Sequence, residues 1–190
     1  VLYLIYDYVK IPLMRPYKTQ TKEIILTTTF QTPLGEMFAA ATKKGIVILC
    51  FFTPYNIEAK LETLKKTLDA DVIPGNNQIL DILKIQLNEY FDKKRTSFEI
   101  PLQLIGSSFQ IQSWKALLDI PYGKTISYKE QAIKIQKEKA HRAVANANAQ
   151  NMIAIIVPCH RVISSNGKLN GYNGGVEKKE FLLKLESSND

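Results

Sequence analysis

Three short segments near the front of the chain, residues 25–30, 37–42 and 46–52, constrain the fold most. Each is too short for a typical helix, and only tight turns separate them. Residues 25–30 and 46–52 are rich in β-branched and aromatic side chains and read as strands. Residues 37–42 make a weaker strand, because Ala39, Ala40 and Ala41 carry little β-propensity. Pro33-Leu-Gly35 and Lys43-Lys-Gly45 supply turn chemistry, so the three segments predict an antiparallel meander. Cys50 falls in the third strand and is expected as a small buried apolar residue.

The period then changes. Ile57, Leu61, Leu64 and Leu68 recur at helical spacing, as do Ile79, Leu83, Leu87 and Phe91 with Ile82 and Tyr90 beside them. Residues 69–75, which end in Pro74-Gly75, read as the break between these two helices. From Ser107 onward the pattern is mainly helical. Ser107-Ser-Phe-Gln110 and Ser127-Tyr-Lys-Glu130 are capping boxes, each opening a helix, with the turn Pro121-Tyr-Gly-Lys124 between them. Phe109, Trp114, Leu117 and Leu118 furnish the apolar contacts of the first, and the second runs to about Ile135. Residues 138–150 predict another helix, and two short helices across a polar break make a helix-turn-helix candidate. Ala140, Ala143, Ala145, Ala147 and Ala149 keep that last helix small on more than one face. Such a helix suits close approach, either to a neighbouring helix or to a nucleic-acid groove.

Charge narrows the partners. Lys and Arg number 25 against 18 Asp and Glu, a net charge of +7 that favours phosphate-bearing partners. With 45% hydrophobic and 23% charged residues the chain is globular and not disordered. Its longest apolar runs, 46–52 and 152–158, fall far short of the roughly 18 residues of a spanning helix. The apolar start is interrupted by Asp7 and has no basic region before it, so no signal peptide is expected. Two cysteines and two histidines make neither a disulfide framework nor a zinc spacing. No metal or other cofactor is therefore expected. A reducing cytoplasm is the simplest setting, and it leaves a thiol available for chemistry.

That thiol is Cys159. Residues 152–157 read as a buried strand or extended segment ended by Pro158, which delivers Cys159, His160 and Arg161 in succession. Nearby basic groups favour a nucleophilic thiolate, although adjacent residues often point apart. The surrounding string carries more information. Ile156-Val-Pro-Cys-His-Arg-Val162 followed by Asn170-Gly-Tyr-Asn-Gly-Gly175 resembles the signature of the O6-alkylguanine-DNA alkyltransferases. The resemblance extends through Phe109, Trp114, Ile120-Pro-Tyr-Gly123, Ser127-Tyr128, Arg142-Ala-Val144, Lys179 and Leu182-Leu-Lys-Leu-Glu186. It is dense over 107–186 and looser at Thr32-Pro-Leu-Gly35 and Ala41-Thr-Lys-Lys-Gly45.

The resemblance implies an α/β fold: an N-terminal lobe with a small antiparallel sheet and helices, and a mainly helical C-terminal lobe with a helix-turn-helix. The expected division is an extension or linker over 1–20, an N-terminal α/β domain over 21–103, and a DNA-binding and alkyl-acceptor domain over 104–190. It implies direct-reversal DNA repair, in which Cys159 irreversibly accepts the alkyl group from O6 of guanine; activity on O4-alkylthymine is left open. His160 would take the thiol proton through a water, Glu186 would orient His160, and Asn151 would brace the end of the recognition helix against the active-site segment. Tyr128 would hydrogen-bond N3 of the extruded guanine, and Arg142 would fill the gap in the base stack. Ala143, Ala145 and Asn146 would lie near the minor groove. Val157, Tyr172 and Asn173 would contact the flipped base, and Lys179 would hold that loop or the leaving oxygen. The implied partner is double-stranded DNA containing O6-alkylguanine, met by a monomer with no membrane attachment. Ala145, Asn146 and Met152 depart from the common family pattern, the last in a turn where proline is frequent. Alkyltransferase-like proteins lack the acceptor cysteine, so Cys159 argues against a purely binding module.

Overall fold

The computed structural model describes residues 22–52, 54–169 and 171–187. The expected extension over 1–20, and Asn170 of the glycine-rich motif, lie outside them. The meander forms as expected, from β1 (Glu23–Thr32), β2 (Gly35–Thr42) and β3 (Gly45–Phe51). After α1 (Pro54–Leu68), residues read as a simple break instead form β4 (Ala70–Pro74), which pairs parallel with β1. The sheet order is β3-β2-β1-β4, so the antiparallel meander gains a fourth, parallel strand. Pro74 and Gly75 close that strand, and their turn signal conceals it in the sequence.

The alanines of β2 are explained by burial on both faces. Met37, Ala39, Ala41, Ile46 and Leu49 face one core, which also receives Leu80, Leu83, Leu87 and Tyr90 of α2 (Gln78–Phe91). Phe38, Ala40, Val47, Ile48 and Cys50 face the other, closed by Ile57 and Leu64 of α1. A central strand packed on both sides takes small side chains because layers stack closely there, whatever their intrinsic propensity.

The outer edge of β3 joins the lobes. Ile46 N–H donates to Pro101 O at 2.9 Å, and Gln103 N–H donates back to Ile46 O at 2.9 Å. Farther along, Leu49 N–H reaches Met152 O at 2.9 Å and Ala154 N–H reaches Leu49 O at 2.7 Å. A sheet edge that would otherwise expose unpaired backbone thereby pins residues 152–154 in place. Residues 152–157 are not the extended strand the sequence suggested. They form a turn in which Ile155 adopts φ +69°, a costly conformation for a β-branched residue.

The helical part comprises α3 (Ser108–Leu118), the two-residue strand β5 (Ile126–Ser127), α4 (Tyr128–Lys134) and α5 (His141–Ala149). Both expected capping boxes are present, at Ser107 with Gln110 and at Ser127 with Glu130. The helix expected over 138–150 is divided: residues Glu138–Ala140 form a 3₁₀ turn that leads into α5. Strand β6 (Val162–Ile163) pairs with β5, and α6 (Val176–Ser187) closes the described chain.

A buried amide pair fixes the helix-turn-helix. Asn148 Nδ2 donates to Gln131 Oε1 at 2.7 Å, while Gln131 Nε2 donates to Asn148 Oδ1 at 3.2 Å and to Ser113 O at 3.0 Å. These bonds tie α3, α4 and α5 together. Asn148→Ala should strand the Gln131 carbonyl and lower stability by about 1–3 kcal/mol. Urea unfolding checks this, and an unchanged midpoint would remove the amide pair as the clamp.

Candidate active site

Asn151 stands just before the pinned turn, and its side chain does much of the positioning. Its Oδ1 accepts from Ile153 N–H at 3.0 Å, and its Nδ2 donates to Val157 O at 2.8 Å and to Cys159 Sγ at 3.3 Å. Cys159 opens a 3₁₀ turn, Cys159–Arg161, that carries all three motif side chains inward. Burial pushes the Cys159 thiol above its usual 9.0, against the Asn151 hydrogen bond and the Lys179 charge. The resting sulfur is therefore a thiol, and reaction requires a base.

His160 has the character of one. It is fully buried, and burial holds its pKa below 6.5 although the Glu186 hydrogen bond and charge pull the other way. Its Nε2 lies 2.8 Å from Glu186 Oε1. Burial opposes ionisation of Glu186, but the hydrogen bonds and charges of His160 and Arg161 outweigh it and hold the carboxyl down at about 2. An ionised carboxylate only accepts, so His160 Nε2 carries the proton and Nδ1 keeps its lone pair. Nδ1 is buried without a hydrogen-bond partner among the described residues, the state expected of a base awaiting a proton.

Glu186 is held far more firmly than the sequence indicated. Arg161 grips it with Nε to Oε2 at 2.8 Å and Nη2 to Oε1 at 3.0 Å, and sends Nη1 to Ile120 O at 2.6 Å. Tyr90, from α2 of the other lobe, donates its Oη to Oε1 at 2.7 Å, and Gly123 N–H donates to Oε2 at 3.2 Å. Burial and the Glu186 charge keep the Tyr90 phenol protonated, a pure donor. Gly123 sits at φ +71°, and a Cβ there would lie 2.9 Å from Glu186 O, so this approach requires glycine. Sequence reasoning missed Tyr90, Gly123 and the role of Arg161. The only available signal was an arginine beside the histidine in a segment read as buried.

The other expected residues fall into two groups. Tyr128 begins α4, partly buried, and burial followed by the Cys159 charge raises its pKa. Lys179 is fully buried, donates to Val162 O at 2.6 Å and lies 5.9 Å from the Tyr128 ring centroid. Val157 is buried beside Cys159, whose N–H bonds Val157 O at 2.8 Å. Tyr172 and Asn173, together with Cys159, Asn151 and Ala154, line a cavity of about 20 Å³, room for roughly one methyl-sized group. Gly174 packs onto the Phe51 ring so tightly that a Cβ would come within 2.5 Å of it, while Tyr172 meets the same ring edge-on at 6.3 Å. The second group lies on α5: Arg142, Ala143 and Asn146 are exposed and Ala145 half-buried. The structure thus gathers the thiol, base, carboxylate and loop at one place, and leaves the α5 residues on the adjoining surface. Larger grooves, of about 720 Å³ beside β1 and about 760 Å³ beneath Tyr122, do not include Cys159.

This arrangement defines a protein with a helix-turn-helix and a buried cysteine, followed in the chain by a histidine that a buried carboxylate holds at 2.8 Å. Residues 25–104 match the family model for the 6-O-methylguanine DNA methyltransferase ribonuclease-like domain, and residues 108–188 match that for its DNA binding domain. The methylated-DNA–protein-cysteine methyltransferase of Methanosarcina barkeri is 44% identical over 159 residues, covering 84% of this chain and 95% of that one. The inducible enzyme of that name from Bacillus subtilis is 40% identical over 151 residues, covering 78% and 83%. The crystal structure of Mycobacterium tuberculosis O6-methylguanine methyltransferase superposes with a TM-score of 0.73 at 39% identity, covering 87% and 94%. The OGT of that organism in complex with DNA gives 0.71 at 39% identity, covering 87% and 93%. The chain belongs to the O6-alkylguanine-DNA alkyltransferase family.

Proposed function

We infer that this protein repairs alkylated DNA by transferring the alkyl group from O6 of guanine to Cys159, once per chain. The observation that carries the reading is the relay: a buried, protonated Cys159 followed directly by a neutral His160 that Glu186 orients at 2.8 Å. His160 Nδ1 takes the thiol proton through a water, the thiolate attacks the alkyl carbon, and the C–O6 bond breaks with its electron pair on guanine. Tyr128 bonds guanine N3 in this reading and helps reprotonate the leaving base, a role its partly buried phenol beside the Cys159 charge supports. The product is a thioether, and nothing in the site has the chemistry to reverse it.

An O6-alkyl group inside a duplex is not open to in-line displacement, so the base must leave the stack. Small, exposed residues on α5 suit entry into the minor groove, with Arg142 filling the vacated position and Asn146 available to a phosphate or base edge. The loop at Tyr172 and Asn173 then closes over the base, with Lys179 fixing Val162 beneath it. Phosphate contacts would make binding salt-sensitive. The protein acts as a monomer in this reading, because thiol, base and carboxylate all come from one chain. Two free cysteines fit the reducing cytoplasm, and no helix among the described residues is long and apolar enough to cross a membrane.

Incubation with a duplex containing O6-methylguanine, followed by intact mass and peptide mapping, tests the reading. One methyl group should appear on Cys159, and the duplex should regain guanine. Tight binding with unchanged protein mass would replace repair by a binding-only role.

A further inference from the structure

One oxygen of the Glu186 carboxylate, Oε1, accepts from His160 Nε2 at 2.8 Å, from Arg161 Nη2 at 3.0 Å and from Tyr90 Oη at 2.7 Å. His160 and Arg161 belong to the turn that carries Cys159. Tyr90 stands near the end of α2, in the lobe that supplies no reacting atom. Packing fixes its aim. The ring is fully buried, edge-on to Phe91 at 5.5 Å and to Tyr122 at 6.1 Å, with Phe98 tilted against it at 5.5 Å. Leu80, Leu83 and Leu87, on the same buried stripe, seat α2 in the core. Such packing alone would be served by phenylalanine, whereas a buried hydroxyl needs a partner and here finds Oε1.

The transfer needs His160 neutral at rest and able to take a proton afterwards. A bare carboxylate against Nε2 favours the imidazolium too early. Arg161 offsets that charge, but as a cation it also opposes the imidazolium that must form. A phenol acts differently: its hydrogen bond draws on the oxygen that faces the imidazole and adds no charge. The other charged or titratable groups that face the pair are Cys159 on the same turn, Lys179 on α6, Tyr122 and Tyr172.

We propose that Tyr90 is a positioning residue of the transfer reaction: its hydroxyl holds Glu186 Oε1 and weakens the carboxylate's pull on the imidazole, so that His160 waits as a neutral base. This rests on the repair reading for the role of His160. It makes the N-terminal lobe part of the proton relay, through a single hydrogen bond set by the seating of α2. Tyr90 itself neither gives up nor receives a proton, because burial and the Glu186 charge keep its phenol protonated.

The test reads His160 directly by NMR. The chain has two histidines, so isotope-labelled histidine reports two imidazoles, one exposed at His141 and one fully buried at His160. Tyr90→Phe keeps the ring and removes the donor. His160 should then titrate about half a pH unit or more above wild type. The acid limb of single-turnover methyl transfer, measured at saturating O6-methylguanine duplex, should move up with it. Replacement of Tyr90 by 3-fluorotyrosine gives a more acidic phenol and a stronger donor, and should move both midpoints down. A purely structural role would slow transfer by one factor at every pH and move neither midpoint; that result overturns the proposal, as do shifts of the same sign in both proteins. If Tyr90→Phe fails to fold, the fluorotyrosine protein decides alone. A wild type that transfers no methyl group would strike the repair reading, whereas methyl transfer with an unmoved His160 midpoint would strike this inference alone.

Discussion

Cys159→Ala should abolish alkyl transfer altogether while leaving duplex affinity within about threefold of wild type. The loss is complete because the acceptor atom itself is gone, and no neighbour replaces it. Cys50 shares the cavity, but burial raises its pKa and its neighbour is Lys60, not the histidine relay. Affinity survives because the exposed α5 residues, Arg142, Ala143 and Asn146, do not depend on the thiol. Single-turnover assays and fluorescence anisotropy measure the two properties separately. Methylation of Cys50 in this variant would show that the acceptor has been misassigned.

The second large effect is expected at Glu186. In Glu186→Gln the buried Arg161 loses its counter-charge, Tyr90 and Gly123 lose an anionic acceptor, and His160 loses the group that fixes its tautomer. Breaking a buried pair from one side typically costs about 3–5 kcal/mol. Loss of general-base catalysis adds about a hundredfold or more to the fall in transfer rate. The same carboxylate sets the acid limit of the fold. Its pKa in the folded protein, about 2, lies below the 4.5 of an ordinary glutamate, so the unfolded chain binds the extra proton. The stability it contributes is present above 4.5 and is lost as pH falls toward 2. His160 acts in the same direction at higher pH, since its folded pKa is also depressed, from 6.5. Wild-type stability and transfer should both decline on acidification, and Glu186→Gln should show a shallower acid dependence of stability. Wild-type stability independent of pH below 6 would contradict the relay electrostatics.

The sequence made the meander legible because turn residues and strand composition agree at Pro33-Leu-Gly35 and Lys43-Lys-Gly45. Helix periodicity likewise located α1 and α2, although the buried face of α2 centres on Leu80, Leu83, Leu87 and Tyr90. Strand β4 was hidden because it has only two β-branched residues, Val72 and Ile73, before Pro74, and pairs with β1 across a whole helix. The 152–157 segment looked extended because its apolar run resembles a strand, whereas its bonds to β3 and the Asn151 side chain fold it into a turn. Cys159, His160 and Glu186 were legible through a resemblance in spacing. The clamp on Glu186 was not, because Tyr90 reaches it from 96 residues away and no local pattern records that distance.

The chain has one tryptophan, Trp114, buried at 2% exposure, and its indole Nε1 donates to Ala147 O of α5 at 2.8 Å. The protein therefore carries a native optical reporter wired to the helix expected to touch DNA. Any tilt of α5 on docking would lengthen that bond and change the indole emission. Engagement could then be followed in real time on unlabelled protein, separately from the slower chemical step.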